Sequence, residues 1–315
     1  MRLWTSRSIL TALIIIAALW RITSGEWEIP LCDVIRFLIH GGNEAEAIVI
    51  RSVRLPRLLS SLGTGGLLSI SGVILQGLLA NPLAEPYTLG IASGAAFGAS
   101  LGIISGLMIM PCAFAGSVCA LILTCIISFH GGQEKIILAG VISNAFLSAG
   151  VTFMKSIAGD RLSSIVMWLM GSFAGSGMND ALCVWIGSLI VIVPAYILAP
   201  ALDAMSLGRD YASILGVNEN LIRMFMLVIT SLGVSLSVSS FGVIGFVGLV
   251  VPHISRGLTG ASHRRLMIHA FMTGALLMCL ADGAAQFMGE LPAGVITAVT
   301  GGPFFCYVLA KKLPR

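Results

Sequence analysis

Charged side chains are scarce along the whole chain. Of its 315 residues, 10% are charged and 57% are apolar, whereas an ordinary soluble domain carries roughly 25% charged residues. So little charge excludes a fold whose entire surface faces water. The net charge of +4 is small and scattered, and no nucleic-acid partner is predicted.

Motifs for catalysis and for metal binding are absent. The sequence contains no G-x-x-x-x-G-K-[ST] phosphate loop, no H-E-x-x-H, and no Ser/His/Asp set in a strand–turn–helix context. Its seven cysteines form no C-x-x-C pair and no ligand spacing with histidine. We therefore predict no metal site and no cofactor bound by this chain, and any use of ATP requires a separate subunit.

Long uncharged runs are present instead. Four stretches contain no Asp, Glu, Lys, Arg or His: Leu58 to Ala84, Pro86 to Phe129, Ala181 to Leu202 and Met224 to Pro252. Each reaches the roughly 20 residues that span a hydrocarbon core. Backbone groups find no water there and must bond within a helix, and the runs lack the alternation of a membrane barrel. The predicted fold class is all-α, a polytopic integral membrane protein.

Charges, proline and glycine divide the chain into about ten transmembrane helices. We place them near residues 8–24, 58–80, 88–106, 109–129, 136–155, 181–200, 221–240, 243–258, 266–288 and 292–310. An even number of spans puts both termini on one side, and the segments on that side hold most of the 18 basic residues. Both termini are therefore predicted to be cytoplasmic, with one transmembrane domain over residues 1–315.

Three positions or groups within this pattern have more than one interpretation. Arg51, Arg54 and Arg57 lie in a predicted external loop, against the usual charge bias. Polar residues form a stripe on the fifth span that fits a passage lining or interhelical hydrogen bonds: Ser143, Asn144, Ser148 and Thr152. Asp282, well inside the ninth span, fits a proton relay or a structural hydrogen bond.

The cytoplasmic segment 203–217 predicts a short amphipathic helix. Its apolar residues are Leu207, Tyr211, Ile214 and Leu215, and Gly216 is placed to close the helix. The spacing fits a helix lying on the membrane surface and a helix that docks on a cytoplasmic partner equally well.

Three stretches resemble the permease subunits of bacterial ABC importers for iron-siderophore complexes, haem and vitamin B12, the FecCD-type permeases. The first runs from Val53-Arg-Leu-Pro-Arg57 through Asn81-Pro-Leu-Ala-Glu-Pro86 to Leu89-Gly-Ile-Ala-Ser-Gly94. The second is Gly242 to Arg256, and the third joins Glu290 to Ala298 with Gly301-Gly-Pro-Phe304. They match in order and spacing and cover nearly the whole chain.

This resemblance implies a type II ABC importer architecture, in which two permease copies enclose one passage. It implies ATPase subunits on the cytoplasmic side, a periplasmic substrate-binding protein, a homodimer, and the bacterial inner membrane as the location. The implied coupling residues within 203–217 are Leu207, Gly208, Arg209, Asp210, Tyr211, Ala212, Ile214, Leu215 and Gly216.

Further sites follow from the same resemblance. Arg54 and Arg57 match residues that receive acidic side chains of the binding protein, although binding of lipid headgroups also fits them. Asn81 and Leu83 lie where the family narrows the passage, which the stripe on the fifth span and the tenth span would line.

The expected function is translocation of a metal chelate, a ferric siderophore or another iron complex, from periplasm to cytoplasm. Haem and cobalamin are the alternatives within the family. An ion-coupled secondary transporter using Asp282, Lys155 or His253, and a membrane-embedded enzyme, are alternatives of other classes.

Overall fold

The structure, a computed structural model, describes residues 2–25, 27–40, 45–128 and 132–312. All regular secondary structure in these residues is helical. The α-helices are α1 (Arg2–Thr23), α2 (Leu31–His40), α3 (Ala45–Val49), α4 (Leu55–Leu78), α5 (Ile91–Ser105), α6 (Ile109–Ser128), α7 (Gln133–Ile157), α8 (Leu162–Leu169), α9 (Met178–Ile197), α10 (Ala199–Ser206), α11 (Arg209–Ile214), α12 (Glu219–Phe241), α13 (Val247–Thr259), α14 (His263–Phe287) and α15 (Ala293–Lys312).

Seven helical segments of the described chain are long and apolar enough to cross a membrane. They are the Ser6–Thr23 part of α1, the continuous segment Ala45–Leu78, and α6, α7, α9, α12 and α14. The other three predicted spans are the shorter helices α5 and α13 and the apolar part of α15, Ala293–Tyr307. The predicted all-α membrane fold is confirmed, and each of the ten predicted spans corresponds to a helix.

The second predicted span begins earlier than expected. One helix runs without interruption over Ala45–Leu78, because a π-helical turn, Ile50–Arg54, joins α3 to α4. In that turn the Leu55 N–H bonds to the Ile50 carbonyl, five residues back, and this wider turn precedes Pro56, which has no N–H to donate. The predicted start at residue 58 is therefore wrong, and Arg51, Arg54 and Arg57 lie in a helix instead of a loop.

The helix α4 forms the centre of the bundle. It packs against α9, α12, α13 and α14, and nearly all of its residues are buried. Glycines permit this close packing: a Cβ added to Gly65 would lie 2.1 Å from the Gly274 carbonyl oxygen, and one added to Gly72 would lie 1.8 Å from that of Gly248. Backbones meet at these two positions, so α13 and α14 are held directly against α4.

The pair α5 and α6 is packed in the same way. A Cβ on Gly98 would lie 2.1 Å from the Cys112 carbonyl oxygen, and a Cβ on Gly116 would lie 2.2 Å from the Gly94 carbonyl oxygen. Glycines on the facing surfaces of the two helices therefore let α5 and α6 approach to backbone contact.

A break separates α12 from α13, at the point where the sequence predicts a turn. The residues between Phe241 and Val247 are not helical, and α13 begins four residues later than the predicted 243. Neighbouring segments bond this irregular backbone: Ser172 N–H donates to the Phe241 carbonyl, and the Tyr87 hydroxyl donates to the Ile244 carbonyl at 2.8 Å. Irregular backbone inside a membrane protein requires such internal partners.

Candidate functional site

The predicted coupling segment comprises the end of α10, a short connection and α11. Its residues 203–206 belong to α10, and α11 is shorter than the helix expected from the pattern. The backbone of Gly208 (φ +115°) and of Gly216 (φ +72°) adopts conformations that other residues rarely take. Gly216 therefore closes α11, as predicted, and two glycines delimit the segment.

Most of the large apolar residues of this segment are exposed. Ile214 is 82% exposed and Leu207 is 69% exposed, with Tyr211 and Leu215 also exposed, whereas Ala212 is buried. The side chains of Arg209 and Asp210, which begin α11, lie outside the described part of the structure. The segment thus presents four exposed apolar side chains. A cluster of exposed apolar side chains is unfavourable in water and is typical of a surface that contacts a protein or a membrane.

The loop after α4 contains the two predicted gate residues. The Asn81 side-chain oxygen accepts a hydrogen bond from the Leu83 N–H at 2.9 Å, and Ala80 has a positive φ of 44°. This local bond fixes a tight turn and leaves the Leu83 side chain 45% exposed.

The residues that follow this loop join it to the break before α13. The Glu85 carboxylate accepts from the Phe246 N–H at the start of α13, where a negative charge is favourable. Burial nevertheless raises the pKa of Glu85, and burial likewise raises the pKa of Tyr87, whose hydroxyl contacts Ile244. The two irregular segments therefore form one bonded unit.

The polar stripe on α7 is divided between two environments. Ser143 is buried and accepts a hydrogen bond from the Thr124 hydroxyl of α6 at 3.2 Å. Asn144, Ser148 and Thr152 are exposed on the surface of the chain. Ser143 thus has the interhelical role that the sequence left open, and the other three remain available to line a passage.

The two predicted docking arginines both have partners within the chain. Arg54 donates to the carbonyl oxygens of Ile22 (2.6 Å), Thr23 (3.1 Å) and Trp27. Arg57, with its side chain 9% exposed, pairs with Asp282 at 3.0 Å and with Glu290 at 2.8 Å. These contacts favour a role for Arg57 inside the bundle, and docking through either arginine stays a prediction.

Asp282 lies at the centre of a buried ionic cluster. Its carboxylate, 1% exposed, pairs with Arg57 of α4 and with Arg21 of α1, the latter at 2.5 Å. Arg21 also donates to the side chain of Gln286, one turn further along α14. Asp282 therefore joins three helices, which favours the structural interpretation of this residue, and both of its carboxylate oxygens accept hydrogen bonds from guanidinium groups.

Sequence reasoning assigned no role to two members of this cluster, Arg21 and Glu290. The i, i+4 spacing of Asp282 and Gln286 places both on one helix face, and Arg21 follows an apolar run that should stay in the membrane. Among the residues that the structure describes, no group of three or more His, Cys, Asp or Glu side chains is arranged to hold a metal ion.

Known proteins with similar sequences and structures agree with this architecture. The sequence model of the FecCD transport family matches residues 12–311. A Helicobacter pylori protein named probable iron chelatin transport system permease protein is 34% identical over 295 residues, covering 91% of this chain and 90% of that protein. The molybdate import system permease protein MolB of Haemophilus influenzae is 34% identical over 323 residues, covering 97% and 95%.

A solved structure has the same fold over almost the full length. It is an ABC transporter assigned to the metal-chelate type, in an inward-facing conformation, with a TM-score of 0.87 and 33% sequence identity. The match covers 96% of this chain and 97% of that one. The chain therefore belongs to the FecCD transport family and is a permease subunit of an ABC transporter, not an enzyme.

Proposed function

We propose that this permease carries a metal chelate, a ferric siderophore or another iron complex, from the periplasm to the cytoplasm. It would do so as a homodimer, with ATPase subunits on its cytoplasmic face and a substrate-binding protein on its periplasmic face. The observation that carries this proposal is the exposed apolar surface of the segment 203–217 in a chain of this family.

The apolar surface is suited to a protein partner. Tyr211 and Ile214 lie on the short helix α11, which Gly208 and Gly216 delimit, and the exposed residues Leu207 and Leu215 flank this helix. Exposed apolar clusters of this kind mark sites of contact with another protein or a membrane. In an ABC permease the ATPase is the partner that must transmit force to the membrane helices. This segment provides an apolar surface on which the ATPase would bind.

The exposed stripe on α7 supports a passage between two copies. Asn144, Ser148 and Thr152 are polar, uncharged and uncovered in the single chain, and polar side chains in a membrane face protein or water more often than lipid. A second copy opposite this face would enclose a polar passage without fixed charges, which holds a large polar cargo weakly.

The cargo itself is inferred from relatives. One is named for iron chelatin and another for molybdate, at the same identity to this chain. The neutral lining favours recognition by the binding protein over selection inside the passage, so haem and cobalamin stay as alternative cargoes. We place the chain in the bacterial inner membrane with both termini in the cytoplasm, following its distribution of basic residues.

Uptake into proteoliposomes tests the proposal. Vesicles containing this chain, its ATPase and its binding protein would be supplied with a ferric hydroxamate siderophore, haem, cobalamin or molybdate. We expect ATP-dependent accumulation of the ferric siderophore. ATP-dependent uptake of only one of the other three compounds would reassign the cargo, and failure of all four would contradict the import function.

The docking surface has its own test. We expect Ile214→Ala to weaken copurification of the ATPase at least fivefold, because this side chain, at 82%, is the most exposed of the four apolar residues of the segment. Leu221→Ala is the matched control, since Leu221 is a 65% exposed apolar residue at the start of α12, outside the segment. Equal ATPase binding by both variants would remove the docking role of α11.

A further inference from the structure

A single carboxylate connects the coupling segment to the first turn of α14. One oxygen of Asp203, in α10, accepts from the backbone N–H of His263 at 2.8 Å and lies 2.6 Å from the Nδ1 of the same residue. An ionised carboxylate only accepts hydrogen bonds, so Nδ1 carries the proton and donates it. Asp203 therefore holds both the backbone and the side chain of His263.

This contact replaces the usual local cap of a helix. The residue before α14, Ser262, makes no side-chain capping bond, although the first N–H groups of any helix need acceptors. Here the acceptor comes from a helix 60 residues earlier in the sequence, and its negative charge is favourable at the N-terminus of α14. The start of α14 thus depends on the position of α10.

Asp203 occupies the boundary between buried and exposed parts of this region. Its neighbour Leu202 is fully buried in the main core, whereas Leu207, four residues after Asp203, belongs to the exposed surface of the coupling segment. The coupling segment is joined to the bundle by α10 on one side and by α12 on the other. On the α10 side, Asp203 bonds α10 to α14.

His263 extends the connection to the last turn of α4. The His263 side chain is buried, and a Cβ added to Gly77 would lie 2.8 Å from its Nε2. The ring therefore rests against the backbone of α4, and no side chain separates them. A shift of His263 must displace this turn or open a cavity in a close-packed region.

The turn that His263 contacts holds the predicted gate. The Gly77 carbonyl accepts from the Ala80 N–H at 3.3 Å, and the Gln76 carbonyl accepts from the Asn81 N–H at 3.2 Å. Gln76 is itself fixed, because its side-chain oxygen accepts from Arg256 of α13 at 2.8 Å. The start of the loop Asn81–Leu83 is therefore bonded to Gln76, and the preceding residue Ala80 is bonded to Gly77, the residue that His263 contacts.

We propose that Asp203 and His263 link the coupling segment to the gate loop Asn81–Leu83, so that movement of α11 changes the exposure of Leu83. Both are positioning residues: they touch neither nucleotide nor cargo and act by transmitting a displacement from α10 to the end of α4. This inference rests on the proposed docking of the ATPase on α11.

Cysteine labelling of the gate tests the link without knowledge of the cargo. Leu83→Cys would be introduced into a variant lacking the seven native cysteines, assembled with the ATPase, and reacted with a membrane-impermeant maleimide with and without a non-hydrolysable ATP analogue. In this parent we expect the analogue to change the labelling rate at least fivefold. With Asp203→Ala we expect a change of less than twofold, while the ATPase still copurifies.

Two further variants keep the test decisive if Asp203→Ala does not fold. Asp203→Asn retains an oxygen that accepts from the His263 N–H and Nδ1–H, so the labelling change should be preserved. His263→Ala leaves the backbone bond but removes the ring that contacts Gly77, so the change should fall below twofold.

The outcomes separate this inference from the proposed function. A full labelling change in Asp203→Ala or His263→Ala would overturn the link while leaving docking intact. An assembled parent whose labelling rate is the same with and without the ATP analogue would overturn the link as well. Failure of the ATPase to copurify with the parent would instead contradict the proposed function.

Discussion

The arrangement of charges around Asp282 explains how a membrane helix tolerates a carboxylate. The group is 1% exposed and is met by two guanidinium groups, from Arg21 and Arg57. The second carboxylate, that of Glu290, pairs with Arg57 and balances the charge of the cluster. Removal of one partner from such a cluster leaves a buried charge uncompensated, which costs more than the pair itself contributes.

We therefore expect Asp282→Asn to destabilise the chain by about 3 kcal/mol or more, since Arg21 and Arg57 would be left facing each other. Thermal unfolding in detergent, followed by intrinsic fluorescence, measures the effect. Asp160→Asn is the matched control, because Asp160 is exposed outside the cluster. Identical unfolding midpoints for the two variants would show that the cluster has no stabilising role.

Sequence alone identified Asp282 as unusual but did not identify its partners. A lone carboxylate in an apolar run is visible in any window of about 20 residues. Arg57 lies 225 positions away and Arg21 lies 261 positions away, and such pairing depends on how α1, α4 and α14 pack. The buried contacts of Arg57 were not predicted either, because they also depend on this packing. Family resemblance predicted a docking role for Arg57, and the structure adds that its side chain is buried against Asp282 and Glu290.

At the scale of elements, glycine decides how closely α5 and α6 approach. We expect Gly98→Ala to destabilise the chain by about 1–3 kcal/mol, because the new methyl group would overlap the Cys112 carbonyl oxygen and force the helices apart. Gly257→Ala is the control: it lies in α13 with nothing within 4 Å of the added Cβ, so it should be neutral or slightly stabilising. A Gly98→Ala variant as stable as Gly257→Ala would refute the close-packing argument.

The sequence predicted the existence of the membrane-spanning helices more accurately than the residues at which they begin and end. Apolar segments bounded by charges, proline and glycine located every span, since lipid leaves the backbone no alternative to a helix. The same rule placed Arg51, Arg54 and Arg57 in a loop before the second span. Ala45–Leu78 is instead one helix, in which Arg54 and Arg57 bond to acceptors inside the protein. The division of segment 203–217 between α10 and α11 was also missed, because a glycine at position 208 fits a helix pattern until its φ of +115° is known.

For the whole molecule, the family identity decides between the classes of function that the sequence left open. A permease of the FecCD transport family uses an ATPase held on a separate subunit, which replaces the ion-coupled transporter and the membrane enzyme as interpretations. The ionic cluster agrees, since Asp282 joins helices inside the bundle through ion pairs with two arginines.

The proposed orientation of the whole chain gives a further prediction. From the proposed cytoplasmic location of both termini, we expect peptide tags added at either end to be cleaved by external protease in inside-out vesicles and protected in right-side-out cells stripped of their outer membrane. A tag inserted between α7 and α8, after Gly159, is the control and should show the opposite pattern. Tags at the two termini on different sides would require an odd number of spans.

The uninterrupted helix Ala45–Leu78 sets a limit on how this protein can move. Its 34 residues form a rod of about 50 Å at 1.5 Å per residue, clearly longer than the roughly 30 Å of a hydrocarbon core. A helix does not stretch without breaking its backbone hydrogen bonds, so the two faces of the membrane are joined by a helix of fixed length. Opening at one face must then be achieved by tilting or rotating this helix, and the same motion displaces its other end at the opposite face.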